Sequence, residues 1–310
     1  MEGLGNDFVL VDLRQAPAPA WLDEPAAIRR LCDRHRGVGA DGVLAVLPAQ
    51  PGVAAAARMR VLNADGSEAQ MCGNGLRCVA KYLLEQDPAA LSAAAASAAA
   101  PAIVIETTAG VLRCQLNRPP GTAVDPTAEW EIEIGMGAPR LQRAALPMLG
   151  PPAALCLGEP LLCDRETLRI TAVSMGNPHA VIFTTPEMRS QGLGPLAQRV
   201  GPLVENHPVF PERTNVELCH RRASDDYEVV VWERGCGLTK ACGTGACAVA
   251  VAACRLGLSE VDHWIKIQLP GGILQVRVLA GEQDVRLRGP VRSVFRGQLA
   301  ASFVTLSSGA

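Results

Sequence analysis

The sequence predicts an α+β fold built from two homologous, β-rich domains. Short strand-like segments dominate the chain, two helix-like segments follow the same cysteine–glycine motif, and further landmarks recur in the same order in both halves. The 310 residues suffice for two domains of about 150 residues each. Because 48% of the residues are hydrophobic, each domain is expected to bury a sizeable core.

The strand-like segments are short, apolar or alternating, and bounded by turn residues; they cover residues 8–11, 103–105, 130–134, 180–183, 228–232 and 273–279. The first helix follows Gly75, where apolar residues at positions 76, 79, 80, 83 and 84 form one stripe. The second covers residues 246–256 and ends at Gly257. It is apolar nearly all round, so we expect it to be buried on every side.

Breaks in the pattern suggest the domain organisation. The segment 118–126 is rich in proline and glycine and predicts the boundary, with a first domain at 1–120 and a second at 121–289. A second break at 146–152 falls within the second domain. Residues 89–100 are almost all alanine and serine, which indicates a low-complexity insertion in a surface loop.

Composition excludes several classes of partner. The 29 basic and 31 acidic residues nearly balance, whereas nucleic-acid binding usually requires a basic excess, so no nucleic acid is expected. The long stretch 89–105 is mostly weakly apolar alanine and contains a proline, so no membrane partner is expected either. The eleven cysteines are an odd number without framework spacing. They indicate free thiols in a reducing compartment.

The helices are introduced by an internal repeat. Cys72-Gly73-Asn74-Gly75 opens the first and Cys242-Gly243-Thr244-Gly245 opens the second, 170 residues later. Nine residues before each cysteine a strand ends in a polar residue, Asn63 in one half and Glu233 in the other. Gly-Asn pairs ending at Asn6 and Asn177 also precede matching strands. A pseudo-twofold pair of such domains is expected to present both motifs to one interdomain cleft.

This motif suits acid/base chemistry on an amino acid. Glycines allow a sharp turn, and the free N–H groups of a helix start favour a bound carboxylate. The same field is expected to lower the pKa of Cys72 and Cys242 from about 8.5 toward about 3.5–7.5. One thiolate would remove a proton from a carbon while the opposite thiol returns one, inverting the centre. Backbone donors would stabilise the carboxylate as charge develops on it.

Two alternatives for Cys72 and Cys242 stay open on the sequence alone, namely a disulfide between the domains and a zinc site. Zinc ligands usually come as closely spaced cysteine pairs, whereas Cys72–Cys78 and Cys236–Cys242 are each six residues apart. The other nine cysteines are expected to be packing residues, and Cys236, although close to the motif, receives no role.

The remaining candidates are polar residues near strand ends, where an isolated side chain usually serves a turn or cap. Recurrence at matched positions favours a binding role instead. An arginine can pair with a carboxylate through two hydrogen bonds, and a histidine can accept a proton from a thiol. The candidates are Asn6, Asn63, Asn177, Asn215, His179, Glu233 and Arg234.

Together these motifs resemble the diaminopimelate epimerase family over nearly the whole chain. The resemblance rests on Gly3-Leu4-Gly5-Asn6-Asp7-Phe8, Asn63-Ala64-Asp65-Gly66-Ser67-Glu68, the two cysteine motifs, Met175-Gly176-Asn177-Pro178-His179, Pro211-Glu212-Arg213-Thr214-Asn215 and Glu233-Arg234-Gly235. The wording around residues 208–211 and 232–234 is similar to plant and cyanobacterial members.

The resemblance implies a cofactor-independent interconversion of LL- and meso-2,6-diaminopimelate in lysine biosynthesis, with Cys72 and Cys242 as the acid/base thiols and His179 and Glu233 assisting them. It implies that the substrate is held by Asn6, Asn63, Gly73, Asn74, Asn177, Asn215, Glu233, Arg234, Gly243 and Thr244. Each domain would be a curved, mostly antiparallel half-barrel around a central helix, and residues from about 290 to 310 would return to the first domain.

Further implications are a homodimer and no metal. The enzyme is expected in the cytoplasm, or in the plastid stroma of an alga or plant if a targeting segment precedes this N-terminus. Two other functions stay open: a different thiol-pair racemase, such as a relative of proline racemase, and a thiol-rich binding or redox protein without turnover. A small substrate such as proline has no second amino-acid group to occupy the asparagines, Glu233 and Arg234.

Overall fold

The computed structural model describes residues 1–69, 71–87, 100–117, 125, 128–300 and 303. Except for residue 100, the expected alanine-rich insertion lies outside the described residues, and so does the expected domain boundary between residues 120 and 121. None of the helices in this part of the chain combines the length and the apolar character needed to cross a membrane.

The elements are mostly strands, as the sequence predicts. The first eight are β1 (Glu2–Gly3), β2 (Asn6–Asp12), β3 (Gly42–Leu47), β4 (Ala57–Asn63), β5 (Glu68–Ala69), β6 (Ala102–Thr107), β7 (Gly110–Asn117) and β8 (Trp130–Gly135). The others are β9 (Glu159–Cys163), β10 (Glu166–Ser174), β11 (Pro178–Phe183), β12 (Asn215–Ala223), β13 (Asp226–Glu233), β14 (Gly237–Thr239), β15 (Ile265–Leu269), β16 (Gly272–Val278) and β17 (Val285–Val291).

In the described ranges the α-helices are α1 (Pro25–Cys32), α2 (Gly73–Glu85), α3 (Pro186–Arg189), α4 (Leu193–Glu205) and α5 (Gly243–Arg255). Short 3₁₀ turns lie at Ala20–Asp23, Arg143–Ala145 and Ala280–Glu282. The sequence predicts α2 and α5 but not α1, α3 or α4.

The chain divides into two compact units. Unit 1 comprises Met1–Ile134 and Pro290–Ala310, and unit 2 comprises Gly135–Gly289. The chain thus enters unit 1 again after completing unit 2.

The strand pairings of unit 1 recur in unit 2, nine strands later. β2–β3 and β4–β6 are parallel, while β1–β2, β3–β4, β4–β5 and β6–β7 are antiparallel. In unit 2, β11–β12 and β13–β15 are parallel, while β10–β11, β12–β13, β13–β14 and β15–β16 are antiparallel. The predicted α+β fold, with two homologous and mostly antiparallel units, is confirmed.

The registers of these pairs also agree. Leu62 pairs with Glu68 in unit 1, and Trp232 pairs with Leu238 in unit 2. The next residue after each is the last of its strand, Asn63 in β4 and Glu233 in β13. Asn63 and Glu233 therefore occupy equivalent strand ends, as the repeat predicts.

One helix lies at the centre of each unit. Helix α2 contacts strands from β1 to β7, and α5 contacts strands from β10 to β16, so each sheet curves around its helix. The residues of α5 from Ala246 to Ala253 are all buried, which confirms the expected burial on every side.

Helix α2 is more deeply buried than its single apolar stripe indicates. Arg77 and Lys81 lie off that stripe, yet both are completely buried. Lys81 forms an ion pair of 2.9 Å with Glu85 and lies 3.8 Å from the centre of the Trp130 ring. The ion pair and the aromatic ring thus allow the Lys81 cation into the core, because a buried charge is tolerated when it is paired.

A second helical layer covers the outer face of each sheet. In unit 1, Ile28 and Leu31 of α1 pack with Val43 and Ala45 of β3. In unit 2, helix α4 packs with residues of β12 in the same way. Strand β3 and residues 215–219 of β12 are therefore buried on both faces, and a polar side chain there must find its partner inside the protein.

Candidate active site

In unit 1, the cysteine motif forms the start of a central helix. Cys72 is half-buried, has extended backbone angles and is the N-cap of α2. Its Sγ accepts a hydrogen bond of 3.4 Å from the backbone N–H of Gly75. The sulfur therefore takes the place that the side-chain oxygen of a serine or aspartate cap usually occupies, at the positive end of the helix.

Asn6 and Asn74 lie beside this sulfur. The Sγ of Cys72 is 3.8 Å from Oδ1 of Asn6, and Nδ2 of Asn74 donates to the same oxygen over 3.3 Å. Asn6 Nδ2 in turn donates to Asp41, and Arg77 Nη2 donates to Oδ1 of Asn74 over 2.7 Å. The buried guanidinium of Arg77 and the carboxylate of Asp41 thus fix the two amides next to the thiol. The sequence motifs do not predict either of these two supporting residues.

Asn63 is exposed at the end of β4, and its Nδ2 donates to Oγ of Ser67 over 2.9 Å. Its strand partner is Gly42 of β3, which pairs in turn with Phe8 of β2, two residues after Asn6. Asn6 and Asn63 therefore lie at the same end of the unit 1 sheet, on the two strands that flank β3.

In unit 2, Cys242 repeats the arrangement of Cys72 more deeply. It is 8% exposed and is the N-cap of α5. Its Sγ accepts from the backbone N–H of Gly245 over 3.4 Å and lies 3.4 Å from Oγ1 of Thr244. Gly243 is buried in the first turn, and Thr244 is half-buried. Both units therefore present one thiol at a glycine-rich helix start.

The expected lowering of the thiol pKa is wrong for Cys242. Burial raises its pKa well above the ordinary value, and the carboxylates of Glu233 and Glu217 raise it further. The hydrogen bonds from Thr244 and Gly245 act in the opposite direction but are the smaller effects. Desolvation and two negative charges therefore outweigh the hydrogen bonds at the helix start and favour the protonated thiol of Cys242.

Glu233 lies close to this thiol and is itself perturbed. Its Oε1 accepts a hydrogen bond of 2.6 Å from the hydroxyl of Thr239 on β14. Burial raises the pKa of Glu233, while the Thr239 hydroxyl, the charge of His179 and a hydrogen bond with Cys242 act to lower it. A carboxyl group poised in this way can exchange a proton with the neighbouring sulfur.

His179 lies at the start of β11 and is completely buried. Its Nδ1 is 2.7 Å from Oε1 of Glu217, and its Nε2 is 3.0 Å from Oδ1 of Asn177. Glu217 is absent from the residues that the motifs predict. The available signal is a carboxylate in the otherwise apolar segment Val216-Glu217-Leu218, two residues after Asn215 and hence on the same face.

The side chains of Asn215 and Arg234 both form hydrogen bonds with backbone groups. Asn215 is 4% exposed; its Nδ2 donates to the carbonyl of Pro178, and its Oδ1 accepts from the backbone N–H of Arg234. The Arg234 guanidinium donates to the carbonyl of Glu212. Asn215 thus joins β12 to the residues that flank Glu233 and Asn177.

The eleven cysteines, all of which the structure describes, form no disulfide, and Cys236 corrects the expectation that nine of them pack. It is exposed, because it lies in the turn between β13 and β14. Cys254 is half-buried, and the other seven outside the motifs are buried. Within the described residues, no three histidine, cysteine, aspartate or glutamate side chains are grouped so as to hold a metal ion.

Solved structures share this fold. A hydroxyproline epimerase from Agrobacterium vitis superposes with a TM-score of 0.63 at 15% identity, covering 94% of this chain and 87% of that one. A predicted epimerase from Pseudomonas aeruginosa gives a TM-score of 0.60 at 18% identity, covering 95% and 93%. This chain thus has the fold of two proteins that are both named as epimerases.

The family follows from the sequence. A family model described as diaminopimelate epimerase matches residues 1–126 and 171–294. The chain is 42% identical to the diaminopimelate epimerase of Desulforudis audaxviator over 299 residues, 96% of this chain and 97% of the relative. It is 40% identical to that of the cyanobacterium Synechocystis over 297 residues, 96% of each. The chain belongs to the diaminopimelate epimerase family, as its motifs predict.

Proposed function

We propose that this protein interconverts LL- and meso-2,6-diaminopimelate, a step of lysine biosynthesis, without a cofactor. The observation that carries the proposal is the thiol cap present in each unit. Cys72 and Cys242 each accept a hydrogen bond from the third residue of the helix that follows, in a chain whose relatives bear the name diaminopimelate epimerase.

In the proposed reaction the two thiols work from opposite faces of one carbon. The thiolate of one cysteine takes the α-proton, the C–H bond breaks, and its electron pair moves into the carboxylate. The thiol of the other cysteine then donates its proton to the opposite face, and a new C–H bond forms. The first cysteine ends as a thiol and the second as a thiolate, so the return reaction uses the same groups in exchanged roles.

The helix starts would bind the carboxylate of the reacting carbon. Gly73-Asn74 and Gly243-Thr244 supply backbone N–H groups at the positive ends of α2 and α5. These donors favour the charge that builds on the carboxylate oxygens during proton removal.

The roles at Cys242 are assigned to Glu233 and His179. Glu233 has a raised pKa and shares a hydrogen bond with the thiol, so it would receive the thiol proton and return it. His179 acts on Glu233 through its charge and holds Asn177 through Nε2. We assign substrate binding to Asn6, Asn63, Asn177, Asn215, Glu233 and Arg234; the distal amino-acid group is the part that distinguishes this substrate from a simple amino acid.

The test uses LL-diaminopimelate in heavy water, with α-deuteration followed by mass spectrometry and NMR. We expect deuterium at one α-carbon and formation of the meso isomer. Exchange of L-proline without exchange of diaminopimelate would instead assign the chain to the proline racemase type. No exchange with either compound would leave a binding or redox protein.

Variants test the two-base assignment directly. Cys72→Ala and Cys242→Ala are each expected to abolish epimerisation, whereas Cys236→Ala, which removes an exposed thiol, is expected to retain it. Full activity in either of the first two variants would exclude the pair as the acid and base.

We further propose that the protein is a homodimer in a reducing compartment, the cytoplasm or a plastid stroma. The support is the family resemblance and eleven cysteines that the structure describes outside any disulfide. Sedimentation velocity at micromolar concentration tests the dimer, and a single species with the mass of one chain would exclude it.

A further inference from the structure

A buried acid in unit 2 has no part in the proposed reaction. Glu217 lies in the middle of β12, between Val216 and Leu218, and is 0% exposed. Its Oε1 lies 2.7 Å from Nδ1 of His179. Its Oε2 has no hydrogen-bond partner among the described residues. A carboxylate without solvent is costly unless a strong partner compensates it, so this position requires an explanation.

The equivalent residue of unit 1 is apolar. Leu44 pairs with Leu10 in the parallel β2–β3 pair, and Glu217 pairs with Val181 in the parallel β11–β12 pair. Each lies under the helix start: a Cβ built on Gly75 would be 2.7 Å from Leu44 Cδ2, and one built on Gly245 would be 2.8 Å from Glu217 Oε1. The fold therefore accepts a leucine at this place, and the glutamate is a feature of unit 2 alone.

The partner of Glu217 connects it to the site. An ionised carboxylate can only accept, so the 2.7 Å contact requires a proton on Nδ1 of His179. Oδ1 of Asn177 is also an acceptor, so its 3.0 Å contact requires a proton on Nε2, and the His179 ring carries both protons beside the Glu217 carboxylate. The Nδ2 of Asn177 makes no hydrogen bond to any described residue and is available to a ligand.

We propose that Glu217 is a positioning residue that keeps the Nδ1 proton on His179, and through that ring fixes the side chain of Asn177 for substrate binding. This role deepens the proposed function and rests on it for the substrate, whereas the state of the His179 ring can be measured without turnover. Unit 1 has no such device, because Phe8 stands two residues after Asn6 where unit 2 has His179 two residues after Asn177.

The other ionisable groups near this pair are limited. Glu233 comes from β13 and Cys242 from the start of α5; Glu233 interacts electrostatically with both His179 and Glu217, and Cys242 interacts with both carboxylates. From β10, the residue that pairs with His179 is the apolar Val173. Glu217 is therefore the group in direct contact with Nδ1.

The test is ¹⁵N NMR of histidine-labelled protein, with the His179 signals assigned by comparison with His179→Asn. In the unaltered protein we expect Nδ1 to carry a proton. Glu217→Leu, which installs the residue of unit 1, is expected to remove that proton from Nδ1 and leave the ring protonated at Nε2. Glu217→Gln keeps an acceptor oxygen and is expected to retain the Nδ1 proton. Glu106→Gln changes a buried carboxylate of unit 1 and is expected to leave the His179 signals unchanged.

Kinetics provide the second measurement. Glu217→Leu is expected to lower kcat/KM for diaminopimelate about 10- to 100-fold, the usual cost of losing a group that orients another, mainly through a higher KM. Glu217→Gln should recover part of the loss. If the leucine variant does not fold, Glu217→Ala replaces it.

The outcomes separate the two proposals. An Nδ1 that is unprotonated in the unaltered protein, or that keeps its proton in the apolar variant, overturns the role of Glu217. Absence of diaminopimelate exchange in the unaltered protein, together with the expected NMR changes, overturns the proposed function and leaves the Glu217–His179 relationship intact.

Discussion

Gly245 lies so close to Glu217 that a side chain at residue 245 would force one of its neighbours to shift. A Cβ on Gly245 would lie 2.8 Å from Oε1 of Glu217, the oxygen that faces His179, and 3.3 Å from Cβ of Cys242. In unit 1 the same construction on Gly75 meets Cδ2 of Leu44 at 2.7 Å. The second glycine of each motif thus allows the helix start to pack directly against a strand. The strand atom that it faces is a leucine methyl carbon in unit 1 and a carboxylate oxygen in unit 2.

Gly245→Ala is expected to cause a large loss of activity and only a moderate loss in the free energy of unfolding. The added methyl group must displace the Glu217 carboxylate from His179 or push the Cys242 cap away, and either shift disturbs the unit 2 site. Overpacking of this kind costs about 1–3 kcal/mol in the free energy of unfolding. Urea denaturation and the α-deuteration assay measure the two effects.

Gly75→Ala is the matched variant. Leu44 offers a flexible methyl group with no polar partner, so it can turn away, and we expect the larger loss of activity in Gly245→Ala. Equal activity losses in the two variants would argue against a special role for the Glu217 contact.

The repeat could be predicted from the sequence because it consists of short motifs whose residues are close together in the chain. Helix α5 follows from its apolar run and its capping glycines, and the equivalence of Asn63 and Glu233 follows from their spacing to the cysteines. The hydrogen bonds that complete each site could not be predicted, since they join residues far apart in the chain. Asn6 contacts Cys72 across 66 residues, and His179 contacts Glu217 across 38.

The pKa of Glu233 gives a prediction about pH. Its raised pKa means that folding favours the protonated carboxyl, so this group's contribution to stability is present below the ordinary value of 4.5 and is lost as the pH rises through the folded-state pKa. The Thr239 hydroxyl opposes the shift because it donates to the ionised form.

Thr239→Val removes that donor and is expected to raise the pKa of Glu233 further. If ionised Glu233 takes the proton of Cys242, the acidic limb of kcat/KM against pH moves to higher pH. Thr184→Val, which removes a hydroxyl bound to the carbonyl of Cys219, is the control and should keep the original profile. An unshifted limb in Thr239→Val would show that Glu233 does not govern it.

The carboxyl group of Glu85 forms two ion pairs, one with Lys81 and one with Arg296. The contributions of a buried and an exposed ion pair to the free energy of unfolding can therefore be compared at one carboxyl group. Lys81 is 0% exposed and Arg296 is 72% exposed. Lys81→Met leaves a buried carboxylate short of its main partner and is expected to cost about 3 kcal/mol of unfolding free energy. Arg296→Met is expected to cost less than about 1 kcal/mol. Chemical denaturation of both variants decides the order, and a larger loss from Arg296→Met would contradict the assignment.

The sequence pattern does not predict helix α4, because glycine and proline residues interrupt it, including Pro202 in its interior. Packing explains why the helix forms nevertheless: Gly201 lies against the indole of Trp232, where an added Cβ would be 2.4 Å from the ring. The nearby indole of Trp232 thus requires glycine at residue 201. The packing contact that this glycine permits outweighs its low helix propensity.

This explanation predicts opposite effects for two glycines of one helix. Gly201→Ala must displace Trp232, the residue before Glu233, and is expected to cost about 1–3 kcal/mol and to lower activity through Glu233. Gly194 has no atom within 4 Å of its added Cβ, so Gly194→Ala should be neutral or stabilise the protein by about 0.5–1 kcal/mol through propensity alone. Thermal and urea denaturation of the pair measure this difference. Stabilisation by Gly201→Ala would show that Trp232 moves aside freely and that propensity, not the indole contact, sets the residue at this position.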